Sequence, residues 1–328
     1  MARSHLTLAA LATSAVAGLD LVSTAEFGSR HDNEYDAALL TGRDGKHWII
    51  RVPRNQAAEA VQSADLVALR AISAGVRTRL PFAVSSFVGQ TPVSGTRAVV
   101  YEFVYGTKIG LAQVDDSIAR SIGESLAALH ILPTSFVSDA GLPVLGQIEC
   151  LRAAVSIMDR AAATGLVPAP LLARWEAATE DSKLWQFQPT VINGALSTDS
   201  LLTADGRVSG ILGWQELRVG DPARDLAWLL ADDAVADVAI DAYIAKRGTA
   251  DRQVRQRATL YSELEVAKWL LHGTELRNTE IVDDAVEMLD GLVDDVQNDV
   301  MNPLGAQTMP TMAVDEVEAF LARNERAV

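Results

Sequence analysis

Apolar and polar residues alternate along the first hundred positions with two different periods. From Tyr35 to Pro53 they alternate every second residue, through "DAALLT" and then "HWIIRVP". Between the runs stands "GRDGK", whose Asp44-Gly45 pair supplies the positive backbone angles of a tight hairpin. The period then lengthens. In "NQAAEAVQSADLVALRAI", Val61, Leu66, Leu69 and Ile72 recur at near-helical spacing, which predicts a helix over Gln56–Ile72. "FAVSSFVGQTPVSGTRAVVYEFV" returns to β-type patterning around a Pro/Gly turn. This region therefore predicts a small antiparallel sheet carrying one long helix.

After Gly106 the helical period dominates. "VDDSIARSIGESLAALHIL" places Ile118, Ile122, Leu126 and Leu129 on one face, with Asp115 and Asp116 in the first turn, where the helix dipole favours acids. Further helices are predicted around residues 146–163, 169–181, 252–272 and 280–299. The last carries Val282, Ala285, Leu289, Leu292 and Val296 as one stripe. One β-rich island, Thr190–Trp214, interrupts the helices, with the turn "ADGR" inside it. "MNPLGAQTMPTM" reads as a connector and "VDEVEAFLARNERAV" as a short terminal helix. The expected architecture is α+β and two-lobed. Residues 1–104 form an N-lobe with an N-terminal helix, residues 105–300 a helical C-lobe, and residues 301–328 a linker and helix.

Composition narrows the chemistry. The 328 residues are 49% hydrophobic and 22% charged, with a net charge of -15. Nucleic acid rewards clustered Lys and Arg, so it is excluded as a partner. Cys150 is the single cysteine, so neither a disulfide framework nor a cysteine metal site is expected. A reducing cytoplasm fits. The five histidines show no ligand spacing. Near the start, Arg3, an Ala-rich run and "AVA" mimic a secretory leader. Thr7, Thr13 and Ser14 break that run, and the expectation is a helix packed on the protein. No later stretch is apolar long enough to span a bilayer.

The region that carries chemistry is "VINGALSTDSLL", followed by "GRVSGILGWQELRVGDPARDLAWLL". Together they resemble the aminoglycoside and macrolide phosphotransferase family, whose members read roughly H-G-D-L-x-x-x-N, then a D-W or D-x segment, then G-D-P-x-x-D-L-A. The macrolide-kinase branch is the nearer, given "WIIRVPR" at 48–54 and "LAALH" at 126–130. The resemblance runs from about Asp36 to about Trp269 and implies a protein-kinase-like fold. It implies that Arg51 is the phosphate-holding basic residue, Asp65 its acidic helix partner, and Glu102 and Val104 the backbone that meets the nucleobase. The structural tail, Asp221, Pro222 and Asp225, is intact.

The reactive positions, within 191–216, are not intact. The lead His falls on Asn193, the acceptor-orienting Asp on Ala195, the metal-binding Asn on Ser200 and the metal-binding Asp on Gly213. Magnesium takes oxygen ligands, usually carboxylates with phosphate and water. Ala195 and Gly213 offer no side-chain oxygen. Loss of a positioned base alone costs about 10²–10⁴-fold. The expectation is a pseudokinase that needs no cofactor, holds no metal, and binds a small molecule or protein through the inter-lobe cleft or surface. Two alternatives stay open. One is an ATP- and magnesium-dependent small-molecule kinase with a rearranged site using Asp199 or Glu216. The other is a scaffold whose cleft is closed. Asp225 is expected to fix loop backbone, His130 to be a core histidine with one bonded nitrogen, Asp205 to serve a turn, and Asp283, Asp284, Asp294 and Asp295 to face solvent.

Overall fold

A computed structural model describes residues 3–28, 34–248 and 251–298, with side chains described as far as residue 293. The predicted connector and terminal helix beyond residue 300 lie outside the described residues.

The N-lobe is a five-stranded sheet in the order β1-β2-β3-β5-β4, antiparallel throughout. Its strands are β1 (Leu21–Glu26), β2 (Tyr35–Gly42), β3 (His47–Pro53), β4 (Phe87–Val93) and β5 (Thr96–Glu102). Strand alternation sorts side chains to two faces. Ala38, Leu40, Ile50, Val52, Ala98 and Val100 form one face, covered by Leu8 and Ala12 of helix α1 (His5–Ala15). The N-terminal segment is thus a packed helix, capped by the Ser4 hydroxyl, which accepts from the Thr7 amide at 3.2 Å. Asp36 stitches it in place. This carboxylate, with 1% of its side chain exposed, takes Arg3 at 3.0 Å and Arg54 at 2.6 Å.

The opposite face, through Val99 and Tyr101, joins the main core together with Leu66, Leu69 and Ile72 of α2 (Gln56–Ala71). Asn55 caps α2 by accepting from the Ala58 amide at 2.8 Å. The expected apolar stripe of α2 needs one correction. Val61 is 42% exposed and Gln62 is buried in its place. The buried face follows the sheet and the cleft, and Gln62 Nε2 donates to the Arg97 carbonyl at 3.4 Å, while its Oε1 has no partner among the described residues. A short helix, α3 (Ala74–Arg77), leads to β4.

The C-lobe is helical. It comprises α4 (Asp116–His130), α5 (Ser135–Asp139), α6 (Gln147–Ala162), α7 (Ala169–Glu180), α8 (Asp233–Arg247), α9 (Val254–Leu276) and α10 (Thr279–Asn298). The acids before α4 act as read: Asp115 caps it, accepting from the Ile118 amide at 2.9 Å. Ala285 and Leu289 of α10 are buried, Val282 and Leu292 pack against the core, and Asp283 and Asp284 are exposed. The side chains of Val296, Asp294 and Asp295 lie outside the described residues.

Strand β1 and helix α8 went unread in the sequence. β1 is an edge strand with a mixed burial pattern, so no clean alternation marks it. α8 is an Ala-rich helix whose buried residues, among them Val235, Ala239, Ile240 and Tyr243, make no strong stripe. It packs closely on α4 at Gly123, where an added Cβ would lie 2.0 Å from the Ala239 carbonyl oxygen. The β island is two antiparallel pairs rather than one hairpin. β6 (Thr190–Ile192) pairs with β9 (Arg218–Gly220), and β7 (Leu201–Ala204) with β8 (Arg207–Ile211).

Two outcomes follow from this packing. Gly123→Val should force α4 from α8 and cost about 1–3 kcal/mol or more; an unchanged urea midpoint would show that the helices separate freely. Burial pushes the Asp36 carboxyl up, but Arg54 and Arg3 outweigh it and hold it below its ordinary value. Its contribution is therefore full above the unfolded carboxylate range and fades as pH falls through the folded value. Asp36→Asn should remove that acid-side dependence from a Tm–pH curve recorded below about pH 5, where unfolded Asp begins to titrate. A curve identical to the wild type would contradict the stitching role.

Candidate functional site

The loop between β6 and β7 hangs on one buried carboxylate. Asp225 closes a 3₁₀ turn, Pro222–Asp225, which Asp221 caps by accepting from the Ala223 amide at 2.9 Å. Asp225 Oδ2 accepts from the Asn193 amide and Oδ1 from the Gly194 amide, each at 2.8 Å. His130 Nε2 lies 3.3 Å from Oδ2, and its Nδ1 lies 3.0 Å from the Tyr243 hydroxyl. His130 is a core histidine, but with both nitrogens paired rather than one. Behind the turn, Arg257 grips Asp221 at 2.7 and 3.2 Å, holds Asp251 at 2.7 Å, and stacks over Phe187.

Asn193 joins this loop to the next. Its Nδ2 donates to the Gly213 carbonyl at 2.8 Å, and its Oδ1 accepts from the Ala195 amide at 3.2 Å. Gly194 has φ +88°, and a Cβ there would stand 2.6 Å from the Glu216 carbonyl oxygen, so only glycine fits. Past Gly213, the Trp214 amide donates to Asp65 Oδ1 at 2.8 Å, and the buried indole stacks on Phe82.

Between the lobes lies an open cavity of about 720 Å³. Its walls include Arg51, Asp65, Ser85, Glu102, Val104, Lys108, Asp199, Gly213 and Trp214. This opening weighs against the alternative of a closed cleft. Arg51, Asp65, Glu102 and Val104 all line the cavity, but Arg51 and Asp65 form no salt bridge. Asp65 is turned to the Trp214 amide, while Arg51 lies over the Tyr35 ring at 5.7 Å. Burial pushes the Asp65 carboxyl up; the Trp214 hydrogen bond and the charge of Arg51 only partly offset it. The Glu102 carbonyl accepts from the Ser85 hydroxyl at 2.9 Å. The Val104 backbone N–H and C=O have no partner among the described residues and are free to meet a ligand.

Of the degenerate positions Gly213 lines the cavity, while Asn193, Ala195 and Ser200 are not part of its wall, and together they supply no carboxylate. Ala195 is exposed and presents a methyl group. Ser200 Oγ accepts from the Ser197 amide at 3.3 Å, capping its own turn. Gly213 lines the cavity with no side chain at φ +72°. No cluster of three or more His, Cys, Asp or Glu that could hold a metal ion occurs among the described residues. These residues do not fit magnesium. The two substitute acids part company. Asp199 lines the cavity, 87% exposed, with Lys108 Nζ at 3.5 Å. Glu216 is paired with Arg218 and is not part of the cavity wall. Asp205, at φ 52°, is the turn residue expected. Cys150 is buried, and burial pushes its thiol up to about 11, which removes it as a nucleophile.

Sequence reading missed Ser85 and Lys108, which line the cavity.

A two-lobed kinase-like fold with this loop defines a phosphotransferase scaffold. The profile of the phosphotransferase enzyme family matches residues 25–261, and the chain belongs to that family. It is 25% identical over 202 residues to the uncharacterized protein YcbJ of Bacillus subtilis (strain 168), covering 58% of this chain and 65% of that one. The chain thus spans just under two thirds of that relative's length. Among solved structures, macrolide 2'-phosphotransferase MphH from Brachybacterium faecium superposes with a TM-score of 0.69 at 22% identity, over 87% of this chain and 98% of that one. The GDP complex of wild-type aminoglycoside 2'-phosphotransferase-IIIa gives 0.71 at 20%, over 90% and 100%. These two share the fold. No helix among the described residues is long and apolar enough to cross a membrane.

Asp225→Ala should leave two buried amides without an acceptor. At about 1–3 kcal/mol each, the loss should exceed ~2 kcal/mol in chemical denaturation. A cost near zero would mean that water replaces the carboxylate and that the loop does not hang on it.

Proposed function

We propose that this chain is a non-catalytic member of its family, a pseudokinase that binds a ligand through the inter-lobe cleft and transfers no phosphate. One observation carries the reading. The positions that resemble the acceptor-orienting and metal-binding residues hold a methyl group, a hydroxyl tied to its own turn, and, on the cavity wall, a bare backbone. Phosphoryl transfer depends on positioning and on neutralising charge around the phosphates. Without those oxygens neither is supplied. The open cavity and the unpaired Val104 backbone favour a ligand binder over an inert scaffold. A small molecule suits a cleft of this volume, and relatives of this fold are described in complex with GDP and kanamycin. No cofactor is required by this reading, and a cytoplasmic protein is proposed.

A rearranged kinase has one residue in its favour, Asp199, because it alone of the two substitute acids faces the cavity. ATP and magnesium belong to that reading only. Its Lys108 pair and wide exposure give it little of the burial that fixes a catalytic base.

The wild type should transfer no radiolabel from millimolar Mg-ATP to kanamycin or a macrolide above background. Transfer abolished by Asp199→Ala would reverse the proposal. The complementary test rebuilds the site with Ala195→Asp, Ser200→Asn and Gly213→Asp. Aspartate tolerates the left-handed backbone of Gly213 better than most residues, and a Cβ there has 3.4 Å to its nearest neighbour, Gln215 Oε1. Two added acids without metal repel each other, so the apo mutant should melt lower. Magnesium with ATP at ~100 times its Kd should return roughly 2.7 kcal/mol. An equal gain in wild type would show that the site was never lost.

A further inference from the structure

Four Arg and Lys side chains line the inter-lobe cavity, and three of them already hold carboxylates. Arg3 and Arg54 share Asp36, and Lys108 stands 3.5 Å from Asp199. Arg51 is the fourth. Its guanidinium lies 5.7 Å from the centroid of the Tyr35 ring and forms no hydrogen bond or ion pair with any described residue. Arg51 pairs with Val99 across β3 and β5, so its side chain leaves the sheet on the face that α2 covers with Leu66 and Leu69. Asp65 precedes Leu66 on that helix and lines the same cavity. Its Oδ1 takes the Trp214 amide at 2.8 Å, while its Oδ2 accepts from no described residue. Two opposite charges thus face one cavity, and neither is paired with the other. Glu26 and Glu102, both exposed, add negative charge to the same wall.

A charge left unpaired in a partly desolvated wall is costly. A simple anion would satisfy Arg51 and add to the burden at Asp65; a simple cation would do the reverse. A nucleoside triphosphate would bring several negative charges to one unpaired guanidinium and three carboxylates, Asp65, Glu26 and Glu102. No cluster of metal-ligating side chains among the described residues would neutralise it. A molecule that carries both charges answers both groups. We propose that the cleft takes a zwitterion with an apolar body, in its simplest form an aromatic amino acid, whose carboxylate rests on Arg51 and whose ammonium meets Asp65. A guanidinium fork takes the two oxygens of a carboxylate together. An ammonium brings three donors, and Asp65 Oδ2 has acceptor capacity to spare. Ile49, Leu69, Phe103, Leu202 and Leu212 line the same cavity and would cover the apolar body. The proposal rests on the non-catalytic reading and names the ligand class of that same cleft.

The probe is phenylalanine, titrated calorimetrically into the full chain at neutral pH without magnesium or nucleotide. Two relatives of the probe each lack one charge: 3-phenylpropionate has no ammonium, and phenethylamine has no carboxylate. One phenylalanine should bind per chain, about 10-fold or more tighter than either, as expected for charge-assisted hydrogen bonds. Arg51→Met should abolish the preference over phenethylamine alone. Asp65→Asn should abolish the preference over 3-phenylpropionate alone. The asparagine oxygen can still accept from the Trp214 amide, so this variant keeps the tie between the lobes. Arg51→Lys keeps the charge and should recover part of what Arg51→Met loses. No phenylalanine binding in the millimolar range, equal affinity for the three probes, or folded variants that weaken all three alike would each overturn the site. Radiolabel transfer from Mg-ATP is measured separately and bears on catalysis alone. Transfer with the probe preferences intact would sink the non-catalytic reading and leave the site standing. No transfer with the preferences absent would do the opposite.

Discussion

The loop between β6 and β7 is hung from the carboxylate of Asp225. It is fully buried, and it is tolerated there because each oxygen receives a backbone N–H, with His130 completing the shell. Two amides fixed at one carboxylate set the direction of the chain at Asn193 and Gly194. That direction aims Asn193 at the Gly213 carbonyl and brings Glu216 so close to Gly194 that no Cβ fits between them. One buried anion thus fixes the relative position of two loops that touch different strands. Trp214 then ties the second loop to α2 through Asp65, so the constraint crosses from the C-lobe to the N-lobe.

The same constraint separates the acids that hold the frame from the open positions of the loop. Removing Asp225 strands buried donors, and removing Asp221 takes from Arg257, whose side chain is completely buried, one of the two carboxylates that hold it. Breaking one side of such a pair is costly because the other charge stays behind. Positions 195 and 213 are different. Ala195 is exposed and Gly213 lines the open cavity, so a side chain at either would hold no buried donor of the frame.

Legibility in the sequence follows from the same distinction. The strands β2 and β3, helix α4 and the loop frame were readable because each carries a local signature: a Asp-Gly turn, a capping acid, a buried alternation. β1 and α8 were not, because an edge strand and an Ala-rich helix take their burial from partners distant in sequence. Gln62 replaced Val61 in the core for that reason as well; its partner is the Arg97 carbonyl, across the sheet. At the site, Asn193, Ala195, Ser200 and Gly213 were located by motif. What motif spacing could not convey was direction. Asp199 and Glu216 are equally acidic in the text, yet only Asp199 faces the cavity. The pairing of Arg51 with Asp65 failed in the same way, since the Trp214 amide competes for the carboxylate.

The charge distribution gives the architecture its remaining sense. A net charge of -15 repels anions at long range, so an anionic ligand would gain little from steering by the whole field. Selectivity then has to be built at contact distance, where a partly desolvated guanidinium outweighs distant, screened acids. Arg218 and Arg224 are drawn in by carbonyls of the loop itself, those of Glu216 and Gly194, rather than by carboxylates alone. Arg218 is held by the Glu216 carboxylate as well, so both guanidinium groups brace the loop whose amides Asp225 fixes.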